Sequence, residues 1–169
     1  IHCMEVITME PRIVKREAIK LVGIMYYGDN KNWEIPGIWQ EFIPLMKKIP
    51  NCLPVHASYG LCFYTEKFSK TGLFYYLAGL PVSSLEEIPI ELVGKTLPAT
   101  EYAVFTHKRS LVGKTNTFKD TYAYAYGTWL PKSPYVNPYA YDFEYYDERF
   151  KGNDNPESEI DICIPIKKR

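Results

Sequence analysis

The sequence has no net charge: 20 Lys and Arg balance 20 Asp and Glu. Sequence-independent binding to a phosphate backbone needs a basic excess, so direct nucleic-acid binding is not expected. Long apolar runs are also missing. The longest stretch without Asp, Glu, Lys or Arg runs from Ile49 to Thr65 and contains Pro50, Asn51, Pro54 and His56. Such a stretch cannot span a bilayer as a helix, so no membrane partner is expected. No basic region followed by an apolar block marks a leader at the N-terminus. Cysteine is sparse, at Cys3, Cys52, Cys62 and Cys163, and no C-x-x-C occurs. That argues against zinc or a redox pair and suits reduced thiols in a cytoplasm. His2, His56 and His107 lie far apart with no metal-ligand spacing, so neither a metal nor another cofactor is expected. G-x-S-x-G, a phosphate-binding glycine loop and H-E-x-x-H are all absent.

What the chain does have is aromatic rings. Its 169 residues suit one domain, with 46% hydrophobic and 24% charged residues. Fifteen Tyr, eight Phe and three Trp make up 15% of it. A tyrosine-rich domain suits an amphipathic binding surface, because each ring is apolar and each tip polar.

The sequence also repeats itself. Ala18–Ile24 (A-I-K-L-V-G-I) corresponds to Ala99–Phe105 (A-T-E-Y-A-V-F) at an offset of 81. Tyr59–Glu66 corresponds to Tyr141–Glu148 at an offset of 82, and Gly79–Val82 to Cys163–Ile166 at 84. Three blocks in one order at near-constant spacing indicate a duplication. A helical candidate lies between the first and second blocks of each half. Ile38 to Lys48 places Ile38, Phe42 and Leu45 on one face, with Pro44 expected to kink or end it. Thr117 to Leu130 has Thr117 as a candidate N-cap and Pro131 as its stop. Each half thus reads strand–helix–strand–strand. The expected fold class is α+β: one domain, 11–168, made of half 11–82, linker 83–90 and half 91–168. The halves should pack as pseudo-twofold antiparallel sheets around a central ligand groove.

Alternation along Tyr141–Glu148 puts Tyr141, Phe143, Tyr145 and Asp147 on one face, and Asp142, Glu144, Tyr146 and Glu148 on the other. The matching strand divides into Leu61 and Phe63 against Gly60, Cys62, Tyr64 and Glu66. Glu144 and its repeat mate Cys62 are then central, flanked by Tyr146 and Tyr64. Because that mate is a cysteine and not a second acid, the site should carry one central negative charge among rings; Asp142 and Glu148 are expected to be exposed. A desolvated carboxylate with aromatic walls attracts planar or amphipathic cations.

Five segments carry a resemblance: Ile38–Phe42, Glu101–His107, Trp129–Pro131, Asp142–Arg149 and Glu159–Ile166. Together they resemble the GyrI-like small-molecule-binding domain, which is also the effector-binding domain of AraC-type and MerR-type multidrug-responsive regulators. The resemblance implies a groove for aromatic, often cationic compounds, with Glu144 as its acidic residue. It adds Trp39, Phe105 and Cys163 to the expected lining of Cys62, Tyr64, Glu144 and Tyr146. Many relatives have Trp at the position of Cys163. Only about ten residues precede the first strand, too few for a helix-turn-helix, so the expectation is a stand-alone sensing or sequestering module. Two alternatives follow from the same resemblance. One is a hydrolase of reactive cyclopropane rings in DNA-alkylating natural products, with Glu144 as the catalytic carboxylate acting on water. The other is an inhibitor of a partner protein such as DNA gyrase; the same analogy allows a regulator as the partner.

Overall fold

The computed structural model describes residues 10–108 and 118–169. Its strands are β1 (Arg12–Arg16), β2 (Ile19–Gly28), β3 (Ser58–Phe63), β4 (Phe74–Pro81), β5 (Val93–Leu97), β6 (Thr100–Lys108), β7 (Tyr135–Val136), β8 (Tyr141–Tyr146) and β9 (Glu159–Lys168). Apart from β7, which pairs with β9, they run in the order β1-β6-β9-β8-β3-β4-β2-β5, with every neighbouring pair antiparallel. The strands are rich in β-branched and aromatic residues, which fit a pleated surface. Helix α1 (Glu34–Phe42) starts beside Asn30, whose Oδ1 accepts the Ile35 backbone N–H at 3.1 Å. It gives way to a 3-10 segment, Ile43–Lys48, where Pro44 bars further α-helical bonding. A short helix, α2 (Phe68–Thr71), is stopped by Gly72 at φ 74. Helix α3 (Phe118–Tyr124) runs on through a π segment, Ala125–Trp129, to Leu130–Lys132. The N-cap expected at Thr117 lies outside the described residues.

The strand order is a palindrome of the duplication. β2, β3 and β4 correspond to β6, β8 and β9, and the two copies meet where β3 pairs with β8. At the offset of 82, Leu61 and Phe143 are mates and also direct partners in that pair, so the pseudo-twofold axis runs between them. One strand per half was missing from the sequence reading. β1 and β5 lie 81 positions apart at both ends, and each pairs with a strand of the other half: β1 with β6, β5 with β2. Two-residue links, 17–18 and 98–99, join β1 to β2 and β5 to β6, which draws the two ends of the sheet together. The sheet therefore curls around an inner core of Leu21, Leu61, Leu77, Leu97, Tyr102 and Phe143. Both helices lie on the opposite, outer face. α1 covers Val22, Cys62, Tyr76 and Ala78, and α3 covers Ala103, Phe105, Ile162 and Ile164. Among the described residues no helix is long and apolar enough to cross a membrane.

Candidate functional site

The candidate site lies on the outer face, where β3 and β8 run between the two helices. Antiparallel register places Gly60 opposite Glu144 and Cys62 opposite Asp142, and paired residues share a face. Glu144 and Asp142, two residues apart, thus project together. Glu144 Oε2 accepts the Tyr146 hydroxyl at 2.6 Å and the Tyr76 hydroxyl at 3.3 Å. The Tyr76 oxygen in turn accepts the Trp39 indole N–H at 2.9 Å. The rings of Trp39 and Tyr146 meet edge to face, 5.5 Å between centroids. Gly60 makes room for this cluster, since a Cβ there would stand 2.9 Å from Glu144 Oε2 and collide with the Tyr76 hydroxyl. A chain of donors from α1, β4 and β8 therefore converges on one carboxylate.

Asp142 has a separate shell. Its Oδ2 accepts the Tyr126 hydroxyl at 2.6 Å and the Tyr64 hydroxyl at 3.0 Å. Tyr126 comes from the π segment, a distortion found often at functional sites. Helix α3 is tied down beside it by a 2.9 Å hydrogen bond between His107 Nδ1 and Thr121 Oγ1. Asp142 is 0% exposed, which corrects the expectation that it faces solvent. The error lay in reading β8 without α3, because the tyrosines of that helix cover the aspartate. The site consequently holds two carboxylates rather than the single charge expected. Burial pushes the Asp142 carboxyl up to about 6 against the pull of its tyrosine donors. Burial likewise pushes Glu144 up to about 7; the Tyr146 bond opposes this, and the charge of Asp142 adds to it.

Of the expected site residues, Trp39, Cys62, Tyr64, Glu144 and Tyr146 come together here. Phe105 shares the face but is 1% exposed, held edge-on to Trp129 and Tyr124 beneath α3. It pairs with Ile162, which pairs with Glu144, so two strand spacings separate it from the carboxylate. Cys163 is on the other face. It pairs with Val104 and Phe143, and its side chain lies in the inner core. Its expected place beside Glu144 is corrected by that register. The alternation of Ile160, Ile162, Ile164 and Ile166 already carried this signal, because Cys163 is out of phase with it. Sequence reasoning placed Gly60 on this face without giving it a role, and it missed Tyr76, Tyr122, Tyr126 and the burial of Asp142. The i, i+4 spacing of Tyr122 and Tyr126 on α3 was the available clue.

A concavity of about 280 Å³ opens elsewhere, on the inner face, and includes Arg12, Arg16, Arg149, Asp147 and Asp161 in its lining. Its charges are largely engaged with one another. Arg149 meets Asp161 at 2.7 Å and Asp147 at 2.9 Å, and Arg12 meets Asp161 at 3.3 Å. Arg16 donates to the Tyr59 hydroxyl and lies over the Tyr145 ring at 4.9 Å. This is an ion-pair network that links β1, β9 and the segment after β8.

Known proteins resemble the chain along nearly its whole length. The family described as "Integron-associated effector binding protein" matches residues 12–166. The transcriptional regulator BrlR of Pseudomonas aeruginosa is 36% identical over 159 residues, or 94% of this chain and 56% of the regulator. The chain thus spans about half the length of that curated relative. SAV2435, solved bound to tetraphenylphosphonium, superposes with a TM-score of 0.69 at 18% identity, covering 94% of each chain. An integron cassette protein of Vibrio cholerae superposes with a TM-score of 0.62 at 18% identity, covering 94% of this chain and 96% of the other.

Proposed function

The chain belongs to the family of integron-associated effector binding proteins, and we propose that it binds a hydrophobic organic cation over Glu144, between α1 and α3, as a sensing or sequestering module. The observation that carries this reading is the Glu144 carboxylate itself. Tyrosine hydroxyls supply its donors, and among the described residues no ion pair reaches it. A desolvated carboxylate without a counter-charge is costly, and an arriving cation supplies what the protein withholds. The rings of Trp39, Tyr76 and Tyr146 surround it with π-faces and edges suited to a flat or multi-ring cation. The relative solved with tetraphenylphosphonium, a cation of this kind, supports the same chemistry.

The test is a calorimetric titration with tetraphenylphosphonium, followed by mass spectrometry of the recovered ligand and of a cyclopropane-bearing alkylating compound after prolonged incubation. Saturable one-site binding with both compounds returned intact supports a binding module. Ring opening that depends on Glu144 would favour the hydrolase instead, and no binding would end the reading.

A further inference from the structure

The Glu144 carboxylate has a neighbour that a single-cation reading leaves unused. Asp142 sits two residues along the same strand face, so the two carboxylates are spaced by roughly 7 Å of strand. Its Oδ1 is buried and has no hydrogen-bond partner, and the buried hydroxyl of Tyr122 is unpartnered too. Buried polar atoms are nearly always paired, and buried carboxylates are paired with cations or held by strong donors. Here two carboxylates lie side by side, and among the described residues no ion pair reaches either.

We infer that Asp142 is a second anionic subsite of the Glu144 site, and that the ligand class is an aromatic dication, with one positive group at Glu144 and the other at Oδ1 of Asp142. The inference rests on the cation-binding reading above. The Tyr122 hydroxyl is buried beside this subsite. Tyr64 and Tyr126 are held by bonds to Oδ2, whereas the Tyr122 hydroxyl approaches the same carboxyl without a well-formed hydrogen bond. Other titratable groups facing the two carboxylates are Cys62 on β3, Tyr64 just beyond it, Tyr76 on β4, Tyr122 and Tyr126 on α3, and Tyr146 on β8. Burial pushes the pKa of every one of them up, so all are neutral at pH 7 and none supplies positive charge. Burial also holds both carboxyls above their usual range, Asp142 near 6 and Glu144 near 7, so near pH 6.5 each is partly protonated and gives up the remainder when positive charge arrives. A dication should therefore release more protons on binding than a monocation. A protonated Asp142 that serves only as a polar strut for α3 is the opposing account.

The probes are ethidium, a monocation, and propidium, its analogue with a second quaternary ammonium on a three-carbon arm. Calorimetry in two buffers of different ionisation enthalpy, near pH 6.5, reads affinity and proton release together. The wild-type protein should bind propidium about tenfold more tightly than ethidium and release more protons with it. Asp142→Asn should abolish that preference. Glu144→Gln should weaken both dyes. Should Asp142→Asn not fold, the difference in proton release by the wild type decides alone. Equal affinity and equal proton release for the two dyes in the wild type overturn the inference, and so does a preference that survives Asp142→Asn. Ethidium binding indifferent to Glu144→Gln overturns the cation reading itself, and binding of neither dye overturns both.

Discussion

Gly60 faces Glu144 directly across the β3–β8 pair, and the missing side chain of the glycine is the space in which the Glu144 carboxylate meets the Tyr76 hydroxyl. Gly60→Ala should therefore push Tyr76 and Glu144 apart. Overpacking of this kind costs about 1–3 kcal/mol. The expected outcome is a lower melting temperature together with weaker binding of tetraphenylphosphonium. Unchanged values of both would mean that the contact is dispensable.

Tyr146 donates the shortest bond to Glu144, 2.6 Å, and stabilises its ionised form. Tyr146→Phe keeps the ring and removes the donor. The Glu144 carboxyl, already near 7, should rise further. Since the carboxylate is the cation-binding form, wild-type affinity should climb between about pH 6 and 8. In Tyr146→Phe that climb should move to higher pH, which titrations across the range will read. A profile that stays in place would show that Tyr146 acts only as a wall.

The same acids bear on stability. The folded-state pKa of Asp142, about 6, lies above its ordinary value of 3.8, so the folded protein holds this proton more tightly. Its contribution is full below about pH 4 and is lost as pH rises through 6; Glu144 follows the same sign up to about 7. For Asp142 the loss approaches about 3 kcal/mol. Asp142→Asn should accordingly be more stable than the wild type at pH 7.5, with the gap closing near pH 4. Denaturant melts at both values check this, and an Asn variant less stable at pH 7.5 would contradict it.

Some of this was legible in the sequence. The offsets near 82 exposed the duplication, because β3 and β8 keep aromatic residues at matching places. They missed β1 and β5, since R-I-V-K-R and V-G-K-T-L share no letter in register. Each of these strands also pairs outside its own half, a relationship no local pattern records. Period-two alternation put Asp142 and Glu144 on one face. It could not show that Tyr122 and Tyr126 descend on Asp142 from a helix carried by the neighbouring strands. Family resemblance brought in Cys163 and Phe105, and there the register of β9 and the depth of α3 decided otherwise.

Cys163 offers a check on the faces. It is 1% exposed in the inner core, and burial pushes its thiol well above the usual range. Cys163→Ala should cost about 1 kcal/mol of stability and leave ligand affinity unchanged. Cys62→Phe, on the outer face opposite Asp142, should weaken binding instead. Loss of affinity in Cys163→Ala would place it on the ligand's side after all.

The most direct measurement is calorimetry of wild type and Glu144→Gln with tetraphenylphosphonium and with neutral triphenylphosphine oxide. The amide keeps the shape of the carboxylate and removes its charge. The phosphonium should lose about 1–3 kcal/mol of binding, the range for interactions with a charged partner. The oxide should change little. Equal losses for both ligands, or none for either, would contradict a site built around the charge of Glu144.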